Sequence, residues 1–491
     1  MPSEGPKERL AFRVLNNSLA FMGGEFFYHF VNFLTGILVA RRLQSESYGQ
    51  FSFIFVYLSF FDIFAQFGLN SILTREVAQG PENAPRILGN AVLLRFILIA
   101  CALPLAFLGI GMMGYPPSIR QGVLLGSLQL FLGLRTVYET VFRVNLLMIY
   151  PALWNGLRAL INLGLVALVS WFRPSVSWFV LAYLGGGLVS LAGTAFSSHR
   201  VMPLRLEWDF RLIKEMIRQS VPLVFASYLT TLYYRIDVFM LSVMKSFKDI
   251  GYYSVATRLT ESLDVVATAL MVSLFPLLSR SFKEDRGHFD RLLIKSFKGL
   301  LLVGLPMALG GVLVAHELIV LFFGPEYSPS GVTLAILLWY TLFGFFSTIL
   351  VNVLIACGRQ VIDLWISLCL VLANVGLNLI LIPLYSYNGA AVATVLVEIL
   401  GTVAMLTYLA RKAEIRFLLP FQEIWPVLVI NLFFFLVLIF LKTFLALTFF
   451  PFVASGVLLY LVLLLGARLV TWSDLKSYFS YGARVLTKED L

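Results

Sequence analysis

The sequence predicts an all-α, polytopic membrane protein with about 14 transmembrane helices. Of its 491 residues, 59% are hydrophobic and 13% are charged, whereas soluble domains carry about 25% charged residues. The apolar residues fall in runs of roughly 20–25, the length that a helix needs to cross about 30 Å of hydrocarbon. Short segments rich in lysine and arginine separate these runs, as the positive-inside rule expects of cytoplasmic connections.

The predicted spans follow the apolar runs in chain order. The first run contains Glu25, His29 and Asn32 and is too long and too polar for a cleaved signal sequence, so we interpret it as the first membrane helix. The approximate ranges are 16–40, 48–69, 89–113, 119–142, 151–172, 176–198, 220–244, 251–279, 296–323, 330–356, 360–384, 388–410, 424–447 and 450–470.

The basic residues predict the orientation of the chain. If the N-terminus is cytoplasmic, most lysine and arginine residues fall in cytoplasmic connections, with the richest at 200–218 and 280–298. Arg41 and Arg42, in a predicted outer loop, are the local exception. We therefore expect a multi-pass protein of the cytoplasmic (inner) membrane with both termini in the cytoplasm. The net charge of +10 follows from this topology and does not require a nucleic-acid partner.

An internal repeat predicts two related halves. At an offset of 202 residues, segment 38–76 aligns with segment 240–278, and three polar or small residues coincide: Gly49 with Gly251, Ser52 with Ser254, and Asp62 with Asp264. Residues 206–219 have apolar residues at helical spacing and predict an amphipathic helix in the inner interface. We therefore expect six-helix lobes at 1–205 and 206–410, and two further helices with a cytoplasmic tail at 411–491.

The sequence carries no pattern for an enzyme, a cofactor or a metal site. Connections between spans are too short for a soluble catalytic domain, and there is no Gly-Lys pair for a Walker A loop. His316-Glu317 begins like a zinc motif, but Val320 stands where the second histidine would be. The three cysteines lie in apolar segments and predict no disulfide framework.

The charged residues inside the predicted spans are therefore the candidate functional residues. A charge at the bilayer centre costs about 2.5–3.5 kcal/mol on insertion scales, so such groups face a polar interior or a partner. Arginine suits phosphate or pyrophosphate because its planar guanidinium donates paired hydrogen bonds. The candidate binding arginines are Arg135, Arg158, Arg235 and Arg258, and the candidate coupling or cavity residues are Glu25, His29, Asp62, Asp237, Glu261 and Asp264.

Structural alternatives stand beside these assignments. Arg135 and Glu139, at i and i+4, could neutralise each other, as could Arg258 and Glu261 at i and i+3. Glu25 and Asp62 are proton or cation sites on one interpretation and packing partners on the other. For Arg95, near the end of a predicted span, we expect a side chain that extends to the membrane surface.

Three segments resemble a known family: ILVARRLQSESYGQFSF (37–53), FGLNSILTREVA (67–78) and GYYSVATRLTESLDVVATALMVSLFPLLSR (251–280). They are similar to polysaccharide and O-antigen flippases, and the third also resembles the eighth helix of lipid II flippases. Both groups belong to the multidrug/oligosaccharidyl-lipid/polysaccharide exporter superfamily.

The resemblance implies two lobes around a central cavity that opens alternately to either side of the membrane. It implies transport of an undecaprenyl- or dolichyl-pyrophosphate-linked oligosaccharide, driven by H⁺, Na⁺ or the membrane potential, with membrane lipids and the polysaccharide assembly machinery as partners. Arg258 corresponds to the arginine that lipid II flippases direct at the pyrophosphate. Those flippases also carry arginines in their first two helices, whereas the first helix of this chain has Glu25 and His29 instead. A cation-coupled multidrug antiporter of the same superfamily, using Asp62, is the alternative.

Overall fold

The computed structural model describes residues 6–172, 174–412, 421–445 and 448–467. Within these residues it is almost entirely helical and contains no strand, so the all-α prediction is confirmed. Arg173 and the predicted cytoplasmic tail (468–491) lie outside the described residues. The chain divides into two compact units, Met1–Gly251 and Tyr252–Leu491. The predicted lobe boundary at 205/206 remains a prediction.

Ten helices lie wholly or partly in the N-terminal unit. They are α1 (Pro6–Gln66), α2 (Leu69–Gln79), α3 (Ala84–Met112), α4 (Pro117–Gly126), α5 (Gln129–Leu132), α6 (Arg135–Val144), α7 (Ile149–Phe172), α8 (Val176–Val201), α9 (Phe210–Met244) and the start of α10 (Phe247–Leu263). Leucine, isoleucine, valine and alanine side chains of α2, α3, α5, α6 and the first turns of α9 form a core.

Breaks in α1 and after it separate the first two predicted spans from each other and from α2. Gln44 has φ 62° and ψ 173°, which interrupts α1 where the first outer loop is predicted. Phe67 and Gly68 have φ values of 51° and 62°, so the helix ends there and restarts as α2. A non-glycine residue with positive φ is uncommon, and these breaks mark places where the chain changes direction between helices.

The predicted span 119–142 is broken into α4, α5 and α6. Between them the backbone makes i→i+3 hydrogen bonds, such as Leu130 N to Ser127 O at 3.0 Å and Leu134 N to Phe131 O at 3.0 Å. Such bonding is typical of 3₁₀ turns and frees the usual α-helical acceptors. This break has a consequence for the site, because it exposes the Gly133 carbonyl to a side chain from another helix.

Of the predicted amphipathic segment 206–219, residues 210–219 form the first turns of α9, and residues 206–209 precede the helix. Asp209 caps this helix by accepting hydrogen bonds from the backbone N–H groups of Arg211 and Leu212, which is the usual role of aspartate at an N-cap. Ile213 is buried in the N-terminal core, whereas Phe210 is exposed. The apolar face of this segment therefore packs partly against the protein core and is partly exposed. The position of the segment at the membrane interface remains a prediction.

The repeat-related glycines Gly49 and Gly251 lie at a close crossing of α1 and the start of α10. A Cβ on Gly49 would overlap the carbonyl oxygen of Phe247, and a Cβ on Gly251 would overlap that of Ser45. Ser45 and Phe247 are separated by the same 202 positions as the two glycines. The contact is therefore reciprocal under the offset read from the sequence, which supports the internal repeat.

Six helices complete the C-terminal unit after α10: α11 (Val265–Glu284), α12 (Arg286–Phe323), α13 (Ser330–Ala356), α14 (Gln360–Lys412), α15 (Phe421–Phe444) and α16 (Phe449–Gly466). Ser386, with φ 51°, interrupts α14 between two predicted spans. Asp285 caps α12, and its hydrogen bond from the His288 N–H lowers the pKa of the Asp285 carboxyl.

Two ion pairs attach α15 to α12. Lys442 Nζ lies 2.8 Å from Glu317 Oε1, and Lys298 Nζ lies 3.7 Å from Glu423 Oε2. The Tyr460 hydroxyl of α16 donates to the Leu302 carbonyl at 2.7 Å. The two C-terminal helices are therefore fastened to the C-terminal unit by polar contacts as well as by their apolar faces.

Nine helices of the described chain are long and apolar enough to cross a membrane, or ten when the bent pair Phe247–Val272 and Leu274–Glu284 is one span. Two of them, Phe21–Gln79 and Gln360–Lys412, each contain two predicted spans. A multi-pass membrane protein is therefore confirmed. The predicted spans 119–142 and 220–244 lie on helices outside this set, and the total of 14 remains a prediction.

Candidate functional site

A charged network joins α1, α6 and α7 in the N-terminal unit. Asn155 Nδ2 donates to Glu25 Oε1 at 2.9 Å, and Arg135 Nη1 donates to Asn155 Oδ1. Arg135 Nη1 also lies 2.7 Å from Glu139 Oε1. We call Glu25, Arg135, Glu139, Asn155 and the neighbouring Arg158 the Arg135 network.

Local backbone features bring these residues together. Gly24 packs against Ala152, a contact that leaves no room for a Cβ on Gly24 and draws α1 close to α7. Glu25 follows Gly24 directly, and Asn155 lies three residues after Ala152 on the same helix, so the two polar side chains meet at this crossing. Arg135 is the first residue of α6, immediately after the broken segment. Its i, i+4 spacing to Glu139 places the two charges on one helical face.

Arg158 differs from Arg135 in its partners. Its guanidinium carbon lies 5.7 Å from the centre of the Tyr28 ring, a distance at which the ring face attracts a cation. Its Nε atom is buried without a hydrogen-bond partner. Among the described residues, no carboxylate lies within 4.0 Å of Arg158, whereas Arg135 is paired with Glu139. Arg158 is therefore the arginine of the network that is left to bind an anion.

His29 lies at the exposed edge of the network. Its side chain is 69% exposed, and its Nε2 lies 3.8 Å from Glu25 Oε2. Glu25 thus has two neighbours, the amide of Asn155 and the imidazole of His29. Glu25 and His29 are therefore neighbours at one edge of the network. Their predicted coupling role remains a prediction.

A second polar cluster surrounds Arg95, and here the sequence-based expectation is wrong. Arg95 is only 1% exposed and does not extend to the membrane surface. Its guanidinium donates to Asn70 Oδ1 at 2.9 Å and to the Gly133 carbonyl. Thr136 Oγ1 lies 2.8 Å from the same Asn70 oxygen. We call Arg95, Asn70, Gly133 and Thr136 the Arg95 cluster.

The Arg95 cluster holds two helix breaks together. Asn70 is at the start of α2, after the break at Phe67 and Gly68, and Gly133 is in the turn between α5 and α6. Asp62 lies beside Gly133 and accepts a hydrogen bond from Gln66 Nε2 at 2.7 Å. Asp62 is thus near this cluster and apart from the contacts that define the Arg135 network.

The remaining predicted site residues lie elsewhere on their helices. In the N-terminal unit, Arg235 is half-buried and Asp237 is buried, both on α9. In the C-terminal unit, Arg258 is half-buried and Glu261 is exposed on α10. Asp264 is half-buried at the junction of α10 and α11. Their functional roles remain predictions.

Sequence reasoning missed Asn70 and Thr136 as parts of a buried polar site. The sequence held only a partial signal, a glycine at position 68, which favours a helix end two residues before Asn70. No group of three or more metal-ligating side chains occurs among the residues that the structure describes.

Comparisons with known proteins identify two related family models and one fold. The family model described as "Polysaccharide biosynthesis protein" matches residues 14–282, and the one described as "Lipid II flippase MurJ" matches residues 158–465. A curated relative from Haloferax volcanii, "Probable low-salt glycan biosynthesis flippase Agl15", is 22% identical over 79% of this chain and 81% of its own length.

Two solved structures show the same fold. One is described as "Lipid II flippase MurJ, inward closed conformation", with a TM-score of 0.76, 15% identity, and coverage of 95% of this chain and 99% of the other. The second is an inward-facing multidrug resistance MATE family transporter, with a TM-score of 0.64, 16% identity, and coverage of 78% and 94%. At such identities the likeness concerns the fold, and the chemistry has to be argued from the side chains.

Proposed function

Because the chain belongs to the polysaccharide biosynthesis protein family of the multidrug/oligosaccharidyl-lipid/polysaccharide exporter superfamily, we propose that it is a flippase for a lipid-linked oligosaccharide. It moves a polyprenyl-pyrophosphate-linked glycan across the cytoplasmic membrane by alternating access. The cargo is supplied by the enzymes that assemble the glycan on its lipid, and it passes to the polysaccharide machinery on the outer side.

The observation that supports this proposal most directly is the state of Arg158. A pyrophosphate in a membrane interior requires donors that are positively charged and not already neutralised. Arg158 meets this requirement, since it stacks on Tyr28 and has no ion pair among the described residues. A guanidinium donates to phosphate oxygens through two parallel N–H groups. Arg158 is therefore our primary candidate for contact with the anionic headgroup.

The other residues of the Arg135 network position and balance this charge. Arg135 already pairs with Glu139 and donates to Asn155. Its main role is therefore to hold these side chains in position, and it has little capacity left to bind the cargo. Glu25 connects Asn155 to His29 and is the position at which a proton or cation would alter the network. We propose that coupling acts here and that H⁺ or Na⁺ is the coupling ion.

The multidrug antiporter is the alternative, since a MATE transporter shares the fold. A cationic drug or coupling cation would favour acidic side chains that are free to accept it. Here Glu25 and Glu139 lie against Asn155 and Arg135, and Asp62 accepts from Gln66. Asp62, like Arg158, has no ion pair among the described residues, but its carboxylate already accepts the Gln66 amide. Within the Arg135 network the group left without an ion pair is an arginine, which favours an anionic cargo.

The test is a transport assay on purified protein in proteoliposomes with a fluorescent polyprenyl-pyrophosphate oligosaccharide. We expect Arg158→Ala to reduce the flipping rate at least about tenfold, because hydrogen bonds to charged groups contribute about 1.5–3 kcal/mol. Arg258→Ala is expected to reduce it as well. Membrane insertion and the unfolding temperature should stay near those of the wild type.

Arg200→Ala is the matched control. Arg200 also stacks on an aromatic ring, with its guanidinium carbon 4.4 Å from the centre of the Phe196 ring, but it lies near the end of α8. We expect this variant to flip its cargo at the wild-type rate. Wild-type flipping by Arg158→Ala would overturn the site assignment, and drug resistance abolished by Asp62→Asn would favour the antiporter.

A further inference from the structure

A groove opens between the two arms of α14, at the ends predicted to face the cytoplasm. Its volume is about 470 Å³. Ile362 and Ile366 line it from the first turns of the helix, and Ala404, Tyr408, Arg411 and Lys412 line it from the last turns. The groove lies wholly within the C-terminal unit and shares no residue with the Arg135 network or the Arg95 cluster.

The groove has an apolar part and a cationic end. Thr407 also lines it, but its hydroxyl donates to the Val403 carbonyl of its own helix at 2.7 Å and leaves little polar demand. From Ala404 to Lys412 the lining changes from a small apolar residue to two adjacent cations, over roughly 12 Å at 1.5 Å per residue. A ligand that matches this lining is apolar along most of its length and anionic at one end.

The most deeply buried residues of α14 near its end do not line the groove, although Ile366 and Tyr408, which do line it, also pack partly against the same core. Met405 and Leu409, on the same turns, are buried in the core of the C-terminal unit. Ala404 and Thr407 are exposed instead. Ala404 and Thr407 therefore face the groove without being buried in the core, and they are accessible to a ligand.

The two cations are available to a ligand. Arg411 and Lys412 are exposed, and no described carboxylate forms an ion pair with either of them. A helix C-terminus favours cations in general, but that preference does not account for an apolar groove leading up to them. Asp363, the acidic residue on the turn of Ile362, does not line the groove.

We propose that this groove binds an anionic glycerophospholipid of the inner leaflet, with one acyl chain along Ile362, Ile366 and Ala404 and the phosphate between Arg411 and Lys412. Basic pockets between transmembrane helices on the cytoplasmic side are known to bind anionic headgroups. The site is separate from the cargo path, and its occupant is a structural or regulatory lipid of the membrane.

The charge requirement is tested by native mass spectrometry of the purified full-length protein with added phosphatidylglycerol, phosphatidylcholine or undecaprenyl phosphate. We expect wild-type protein to retain phosphatidylglycerol in preference to the other two. The double variant Arg411→Gln/Lys412→Gln should bind it roughly thirtyfold more weakly, since each basic residue near an anionic lipid contributes about fivefold. Lys283→Gln/Lys295→Gln removes the same charge from exposed positions outside the groove and should bind like the wild type.

The apolar requirement is tested with the cations intact. Ala404→Trp fills the groove at an exposed position, and we expect it to lose most of the phosphatidylglycerol retained by the wild type. Ala410→Trp is the matched control, because Ala410 is exposed on the same helix and does not line the groove. Equal losses in the two cation variants, or in the two tryptophan variants, would overturn the proposal. Preferred retention of undecaprenyl phosphate would also overturn it, by identifying the groove as part of the cargo path.

Discussion

The Arg95 cluster and the Arg135 network are two arginine-centred regions of the same unit, and they differ in what their arginines bind. Arg95 is almost fully buried and donates to a backbone carbonyl and a side-chain amide, both neutral. Arg135 meets a carboxylate, and Arg158 meets an aromatic ring and no described carboxylate. A buried arginine that donates hydrogen bonds to polar groups at a helix break stabilises the fold. An arginine without an ion pair and without such acceptors retains the capacity to bind a charged ligand.

The largest expected effect separates these roles with one pair of matched variants. Arg95→Met should destabilise the protein by about 3 kcal/mol, because it removes the buried charged donor to the Gly133 carbonyl and the Asn70 amide oxygen and leaves only Thr136 as a donor to them. Arg158→Met should change stability by much less and reduce flipping strongly. The measurement is unfolding of both purified variants in the same detergent, followed by the proteoliposome assay.

The comparison fails if stability and transport respond in the opposite order. A larger loss of stability in Arg158→Met than in Arg95→Met would show that Arg158 has structural partners beyond Tyr28. Near-normal stability of Arg95→Met would show that water or rearranged side chains satisfy the helix breaks in its place.

The ion pair between Arg135 and Glu139 is the next effect in size. Their side chains are 16% and 12% exposed, so the pair is poorly screened by solvent. A double-mutant cycle with Arg135→Gln and Glu139→Gln should give a coupling free energy of roughly 1–3 kcal/mol. The surface pair Arg280 and Glu284 is the control, with the same i, i+4 spacing, an N–O distance of 2.8 Å and exposures of 75% and 61%.

The control cycle should give at most about 0.5 kcal/mol, as exposed helical pairs do. If the two cycles return the same coupling, Arg135 and Glu139 are effectively solvated. The Arg135 network would then be a hydrated surface and not an ordered polar interior.

The sequence predicted which helices form and which charges lie within them, because both follow from properties local to the chain. Apolar runs gave the helical membrane fold, and the i, i+4 spacing gave the Arg135–Glu139 pair before any coordinates. The offset of 202 also identified Gly49 and Gly251, whose reciprocal contact the structure shows. The polar faces of α1 and α7 were evident, but a helical period cannot tell which face of another helix they meet.

The Arg95 cluster could not be predicted for a related reason. Helix α3 begins at Ala84, several residues before the predicted span, so Arg95 lies about three turns inside the helix and not at its end. Its partners depend on breaks after α1 and between α5 and α6, which interrupt apolar segments that hydropathy treats as continuous. Hydropathy averages over a turn or more, so a break of two residues changes it little.

The smallest expected effect tests one hydrogen bond of the Arg95 cluster. Thr136 Oγ1 lies 2.8 Å from Asn70 Oδ1 and 3.1 Å from the Gly133 carbonyl oxygen. Its one hydroxyl proton is therefore shared between an acceptor at the start of α2 and an acceptor in the turn before α6. Thr136→Val removes this donor with little change of shape, and we expect a loss of about 1 kcal/mol in stability with flipping unchanged. Thr140→Val is the control, since the Thr140 hydroxyl donates to its own helix at the Thr136 carbonyl. If unfolding in the same detergent shows an equal or larger loss for Thr140→Val, the hydrogen bond to Asn70 does not hold the breaks together, and Arg95 alone carries that role.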